Sequence, residues 1–273
     1  MKKILFILFL TLFFLLISFL FFEETSEHQK ISQTPSTEEE TAAPREKSEK
    51  VNDNNKDNQE EDREDKKKEN EDNQKSLPSY HLNEVPFFPQ SPFAKWDPLH
   101  EEACEEAAII MSHLYLSDKE EISLEEADKE IREIIAYEEE ELGFGEDINA
   151  EQMIKLTEEF YGHKLTTLKD YENETIKRHL ARGNIFIAPA AGRVLENPNF
   201  QAPGPLYHAL IITGYDDEAK QFITNDPGTR RGENFKYSYQ NLLESIHDFP
   251  ENGKKENILQ GEKVLILVKK NKE

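Results

Sequence analysis

The chain reads as an α+β protein, with helices in the first half of its folding part and an antiparallel sheet in the second. Two observations predict this. From Glu101 to about Arg182 apolar residues recur at helical spacing, and past Gly183 the apolar runs become short and are separated by Pro, Gly and Asn. A third observation says where folding begins. Residues 23–79 contain no Phe, Tyr or Trp, whereas all nine tyrosines and the single tryptophan lie from Tyr80 onward. The folded domain is therefore expected over 80–273, preceded by two segments of other kinds.

The first segment is Ile4 to Phe22, 19 residues interrupted only by Thr11 and Ser18. As a helix it spans roughly 28 Å, close to the hydrocarbon thickness of a bilayer. Lys2 and Lys3 before it, and Glu23 and Glu24 after it, orient the amino terminus toward the cytoplasm. A cleaved signal peptide has a shorter apolar core and a small-residue cleavage site, which Phe21-Phe22-Glu23-Glu24 does not offer. Residues 1–22 are thus expected to be a transmembrane signal anchor, single-pass, with the remainder outside the cytoplasm. The second segment, 23–79, holds 18 acids against 10 bases and almost no aliphatics. Such a composition cannot bury enough apolar surface to offset the entropy of ordering, so a disordered acidic linker is expected.

Charge excludes one class of partner. With 56 acids, 33 Lys and Arg and a formal charge of −23, the chain repels phosphate backbones, and no nucleic-acid partner is expected. The anchor contributes +2 and the linker −8, which leaves −17 on 80–273. A single cysteine forms no internal disulfide and no multi-cysteine zinc site, and no metal or cofactor is expected.

Within the domain, the first helix is expected from Glu101 to Leu116, with Ala103, Ala107, Ile110, Met111, Leu114 and Tyr115 on its apolar positions. Ser123-Leu-Glu-Glu126 reads as a capping box opening a second helix that runs to Leu142, before Gly143. Asn149 with Gln152 opens a third, to about Phe160. A fourth runs from Glu172 to Arg182 and stops at Gly183. Ile185-Phe-Ile-Ala is a short apolar strand, followed by a loop over 189–205. The segment starting at His208 and the segment Phe222-Ile-Thr form a hairpin turned at Asp216-Asp217. A short helix over Tyr239–His247 and a strand over Val264–Val268 complete the domain.

Four residues stand out chemically. Cys104 lies near a helix amino terminus, where unpaired N–H groups favour a thiolate, although a free cysteine is equally a small buried hydrophobe. The acids Glu101, Glu102, Glu105 and Glu106 oppose a low thiol pKa, so an imidazolium is needed nearby. His208 opens an apolar strand, as either a satisfied core histidine or a base with a partner. His100, one turn before Cys104, is its local rival. Asp226, in Asn225-Asp226-Pro227, sits at a strand end one hairpin from His208, either as an ordinary turn residue or as the group that orients the base. Gln90, in Val85-Pro-Phe-Phe-Pro-Gln90, is an amide donor upstream of the helix and able to serve an oxyanion.

These motifs together resemble the bacterial cysteine peptidase-like domains related to the double-glycine bacteriocin-leader peptidases, the peptidase C39-like group of the papain-like superfamily. The matching stretches are Val85-Pro-Phe-Phe-Pro-Gln-Ser-Pro, Trp96, Ala103-Cys-Glu-Glu-Ala-Ala, Tyr207-His-Ala-Leu-Ile-Ile-Thr-Gly-Tyr-Asp216 and Ile223-Thr-Asn-Asp-Pro-Gly228. The resemblance implies a papain-like fold with Cys104 as nucleophile, His208 as general base, Asp226 as orienting acid and Gln90 as oxyanion donor. It further implies a peptide or protein substrate. No transporter or nucleotide-binding segment accompanies the domain, so leader peptides do not carry over as the substrate. Two other functions remain open, a cell-wall peptide amidase using the same residues and a non-catalytic binding module on the same fold.

Overall fold

The computed structural model describes residues 76–270, so the expected anchor (Ile4–Phe22) and the linker up to residue 75 lie outside it. Among the described residues no helix is long and apolar enough to cross a membrane.

A seven-stranded, all-antiparallel sheet organises everything else. Its strands are β1 (Tyr80–Leu82), β2 (Thr166–Leu168), β3 (Ile185–Ala191), β4 (Tyr207–Asp216), β5 (Gln221–Asn225), β6 (Phe235–Ser238) and β7 (Leu265–Val268). They lie in the order β2-β7-β3-β4-β5-β6, and β1 pairs with β4. The pairing Phe186↔Ile212 ends at Ala191↔Tyr207, while β1 joins β4 at Leu82↔Gly214, beyond the reach of β3.

Alternation along the strands explains why both faces of the sheet are covered. Ile185, Ile187, Ala209, Ile211 and Ile266 pack into one apolar cluster with the residues of α2 (Cys104–Leu116), α3 (Leu124–Tyr137) and α4 (Ala150–Tyr161). Phe186, Ala188, Leu210, Ile212, Leu265 and Leu267 pack into another, with α5 (Asn173–Ala181) and α6 (Tyr239–Ser245). A strand sequence that is apolar at every position, as in β3 and β4, is what burial on two faces requires. Helix α2 is buried almost throughout, which is why its sequence is apolar around most of its circumference.

The capping boxes at Ser123/Glu126 and Asn149/Gln152 form as expected, and Gly143 and Gly162 end their helices in the left-handed region. Past Tyr137 the second helix widens into a π-helical turn, Glu138–Leu142. Elsewhere the structure departs from the sequence-based expectation. The first helix is not continuous from Glu101. A separate turn, α1 (Pro98–Glu101), is capped by Asp97 with Pro98 at its first position, and α2 restarts at Cys104. The loop expected from residue 189 begins only after Ala191, because Pro189 sits on β3 beyond the three-residue pairing with β7, where no ladder N–H is demanded. Strands β1, β2 and β6 have no counterpart in the sequence reading; at three or four residues they are too short to show a period.

Candidate active site

Cys104 is the first residue of α2, and the sequence around it accounts for that placement. Pro98 and Asp97 start α1 one turn earlier, and the carbonyls at its end are taken by Gln90, whose Nε2 donates to His100 O at 2.9 Å and to Glu101 O at 3.1 Å. The chain then re-enters helix at Cys104, where backbone N–H groups have no intrahelical acceptor. The thiol is buried and donates to Glu105 Oε2 at 2.8 Å. Burial pushes its pKa well up and Glu105 and Glu106 push it further, while the backbone N–H of Ala209, next to His208 on β4, opposes them by bonding the sulfur.

The acids beside the thiol are buried as well. Glu105 also accepts from Ile148 N at 3.4 Å, and its carboxyl is raised to about 8, mainly by burial. Burial, then the charges of Glu105 and Glu138, raise Glu106 well above the ordinary carboxylate range, and burial raises Glu138 to about 7. Near neutral pH the amino end of α2 is therefore largely uncharged around a neutral thiol.

His208 opens β4 opposite Ala190 and is 1% exposed. Its Nε2 lies 2.8 Å from Asp226 Oδ1. Asp226 is fully buried and accepts three further hydrogen bonds: from Asn197 Nδ2 at 3.0 Å, from the Tyr237 hydroxyl, and from Gly228 N at 3.0 Å. Burial alone would raise its pKa; the imidazole of His208, followed by Tyr237 and Asn197, holds it below the usual carboxylate value instead. An ionised carboxylate only accepts hydrogen bonds, so the proton of neutral His208 sits on Nε2 and Nδ1 keeps its lone pair. Close packing fixes the ring. Phe200 meets it edge to face with centroids 5.2 Å apart, and a Cβ placed on Gly228 would come within 2.9 Å of His208 Cε1.

One cleft of about 860 Å³ is lined by Gln90, Cys104 and His208, with Asp226 behind the histidine. Gln90 is buried, and its backbone N–H donates to Pro227 O at 2.9 Å, which ties its segment to the Asp226 turn. Both protons of its side-chain amide are held by the α1 carbonyls, while its Oε1 has no partner. His100, the rival base, is buried with Nδ1 2.7 Å from Asp97 and Nε2 2.9 Å from Asp128, so neither nitrogen is left for the thiol. The sequence reading did not find Asn197 and Tyr237. One lies in an irregular loop and the other on a four-residue strand, and neither position carries a local signal of its role.

A family model described as the Peptidase_C39 like family matches residues 82–251. Among solved structures, a candidate C39-like peptidase from Bacillus anthracis is similar at 12% identity and a TM-score of 0.44, over 71% of this chain and 99% of that one. Xylellain, a cysteine protease from Xylella fastidiosa, is similar at 13% identity and a TM-score of 0.35, over 72% of this chain and 88% of its own. No curated protein matches the chain.

Proposed function

Since the chain belongs to the Peptidase C39-like family, we propose that it is a membrane-anchored cysteine peptidase that cleaves peptide bonds through an acyl-enzyme. The observation that carries this reading is the cleft shared by Cys104 and His208, with a buried carboxylate bonded to His208 Nε2.

In the proposed reaction His208 Nδ1 takes the thiol proton, and the sulfur attacks the carbonyl carbon of the scissile peptide. The oxygen becomes an oxyanion, held by the Cys104 backbone N–H at the head of α2. Gln90 joins by releasing or sharing one of its two carbonyl partners. The C–N bond then breaks as the imidazolium protonates the leaving amine, which leaves a thioester on Cys104. Water attacks that thioester while His208 takes its proton, the acid departs, and the thiol is restored. Asp226 stabilises the imidazolium in both halves of the cycle. The raised thiol pKa means that Cys104 rests as the thiol, so proton transfer to His208 belongs to the attack step.

The anchor is part of the same proposal. The apolar run Ile4–Phe22, with lysines before it and acids after it, supports a single-pass protein whose peptidase domain faces away from the cytoplasm. Full-length protein incubated with unfolded polypeptides tests the chemistry. New amino termini are expected with the wild type and none with Cys104→Ala or His208→Ala; equal cleavage by Cys104→Ala would remove the assignment. Purified peptidoglycan offered in parallel separates polypeptide cleavage from cell-wall amide cleavage.

A further inference from the structure

The cleft carries a charge opposite to that of its domain. Of six arginines among the described residues, three line it, Arg193, Arg230 and Arg231, although 80–273 carries −17. All three are exposed, and none is ion-paired with a carboxylate among the described residues. The other base in the lining, Lys255, is already balanced by Glu102 at 2.6 Å and Asp147 at 3.0 Å. The lining thus has an acidic side near Cys104, where Glu101 and Glu102 outnumber Lys255, and a basic wall on the side of His208.

That wall is held in place by the site itself. Arg230 and Arg231 sit on the turn that follows Asp226, closed by Asp226 N donating to Gly232 O at 3.0 Å and by Gly232 N donating to Thr229 O at 3.2 Å. Arg193 follows Gly192, against which His208 packs, and its Nε donates to Gly204 O at 3.2 Å. The same lining also holds apolar side chains, among them Phe200, Leu206 and Trp96. Guanidinium groups that lack carboxylate partners, fixed at the mouth of an acidic protein's cleft, recognise carboxylates well, since they offer paired donors in a fork that matches a carboxylate. On a domain of net negative charge, such a cluster offers an acidic chain a local attraction that the acidic surface does not.

The geometry points to an acidic polypeptide as the substrate class, one with Asp or Glu facing Arg193, Arg230 and Arg231 and an apolar residue among them for the apolar part of the lining. This rests on the peptidase reading for the word substrate but not for the binding, and the two are tested apart. Three fluorescein-labelled peptides share an apolar centre and differ only in flanks of Asp/Glu, of Asn/Gln or of Lys. Their binding to full-length Cys104→Ala protein is followed by fluorescence anisotropy.

The acidic peptide is expected to bind about tenfold more tightly than the neutral one at low salt, as several exposed charge pairs acting together allow. At about 1 M salt, where the screening length is near 3 Å, most of that advantage should vanish. In the double variant Arg230→Gln/Arg231→Gln the preference should shrink to roughly twofold, and Arg230→Glu/Arg231→Glu should favour the Lys-flanked peptide. Both arginines are exposed, so neither variant threatens the core. Equal binding of all three peptides, or an acidic preference that survives both double variants, would overturn the inference. Cleavage is then read with the Cys104 protein. Acidic binding without Cys104-dependent cleavage removes the peptidase reading and leaves the acidic-peptide site standing; thiol-dependent cleavage without acidic binding does the reverse.

Discussion

At the scale of single residues, the thiol and its orienting carboxylate are set by opposite means. Both are buried, yet Asp226 collects donors from four groups and stays ionised, whereas Cys104 faces a buried acid and stays protonated. Replacing Glu105 by Gln removes the second-largest influence on the thiol after burial itself. We expect the alkylation pKa of Cys104 to fall, so that iodoacetamide reacts roughly tenfold faster at neutral pH. An unchanged rate would show that Glu105 does not control the thiol. Asp226→Asn keeps the shape but turns an acceptor into a partial donor that faces Asn197, Tyr237 and Gly228. Hydrolysis should fall by roughly 10²–10⁴ in kcat, as expected when a histidine loses its tautomer-fixing partner. Urea denaturation should show a loss of about 1–3 kcal/mol from the unpaired donors left behind. A variant as active as the wild type would place Asp226 outside the machinery.

At the scale of elements, helix α2 and the π-helical turn after α3 bring Glu105, Glu106 and Glu138 into one apolar environment, and this makes stability depend on pH. Unfolded, these carboxyls lose their protons near 4.5; folded, Glu138 holds its proton to about 7 and Glu105 to about 8. Between those limits the folded state binds more protons, so stability is full below pH 4.5 and declines as pH rises through 8. The decline should be on the order of 2–5 kcal/mol. Asp226 acts the other way, losing its contribution as pH drops below 3.8. The urea midpoint should therefore be highest near pH 4–5 and lower at pH 8.5, and a flat profile across that interval would mean that the acids ionise freely. The turn after β5 gives a packing test. Gly228→Ala puts a methyl 2.9 Å from both His208 Cε1 and Phe200 Cε1, so catalysis should drop at least tenfold with a thermal destabilisation of about 1–3 kcal/mol. These elements also show what could be read in advance. Helices with a box such as Ser123/Glu126 or a stop such as Gly162 are encoded within a few residues, and so is the strand that His208 opens. The break between α1 and α2 is not encoded that way. It depends on Gln90, ten residues upstream, taking the carbonyls of His100 and Glu101. The burial of Glu105 and Glu106 likewise comes from strands and loops that reach α2 only in three dimensions, and charge in the sequence points to the surface instead.

At the scale of the whole molecule, charge and connectivity divide along the chain. The acids are spread over residues 23–79 and most of the domain, while three of the six arginines among the described residues line the cleft. Where the chain enters the domain, the strand β1 pairs with β4, Asp217 N donates to Ser79 O at 2.8 Å, and Asn83 Nδ2 donates to the carbonyls of Leu180, Asn184 and Thr213. Only beyond that clamp does the backbone run on to Val85, whose carbonyl accepts from Asn225, and to Gln90, bonded to Pro227. Any pull delivered through residues ahead of Ser76 is therefore borne first by a strand loaded lengthwise against the middle of the sheet. The cleft stands downstream of that strain relief. Tension applied at the amino end of the domain can thus be taken up without Cys104, His208 and the Asp226 turn being drawn out of register.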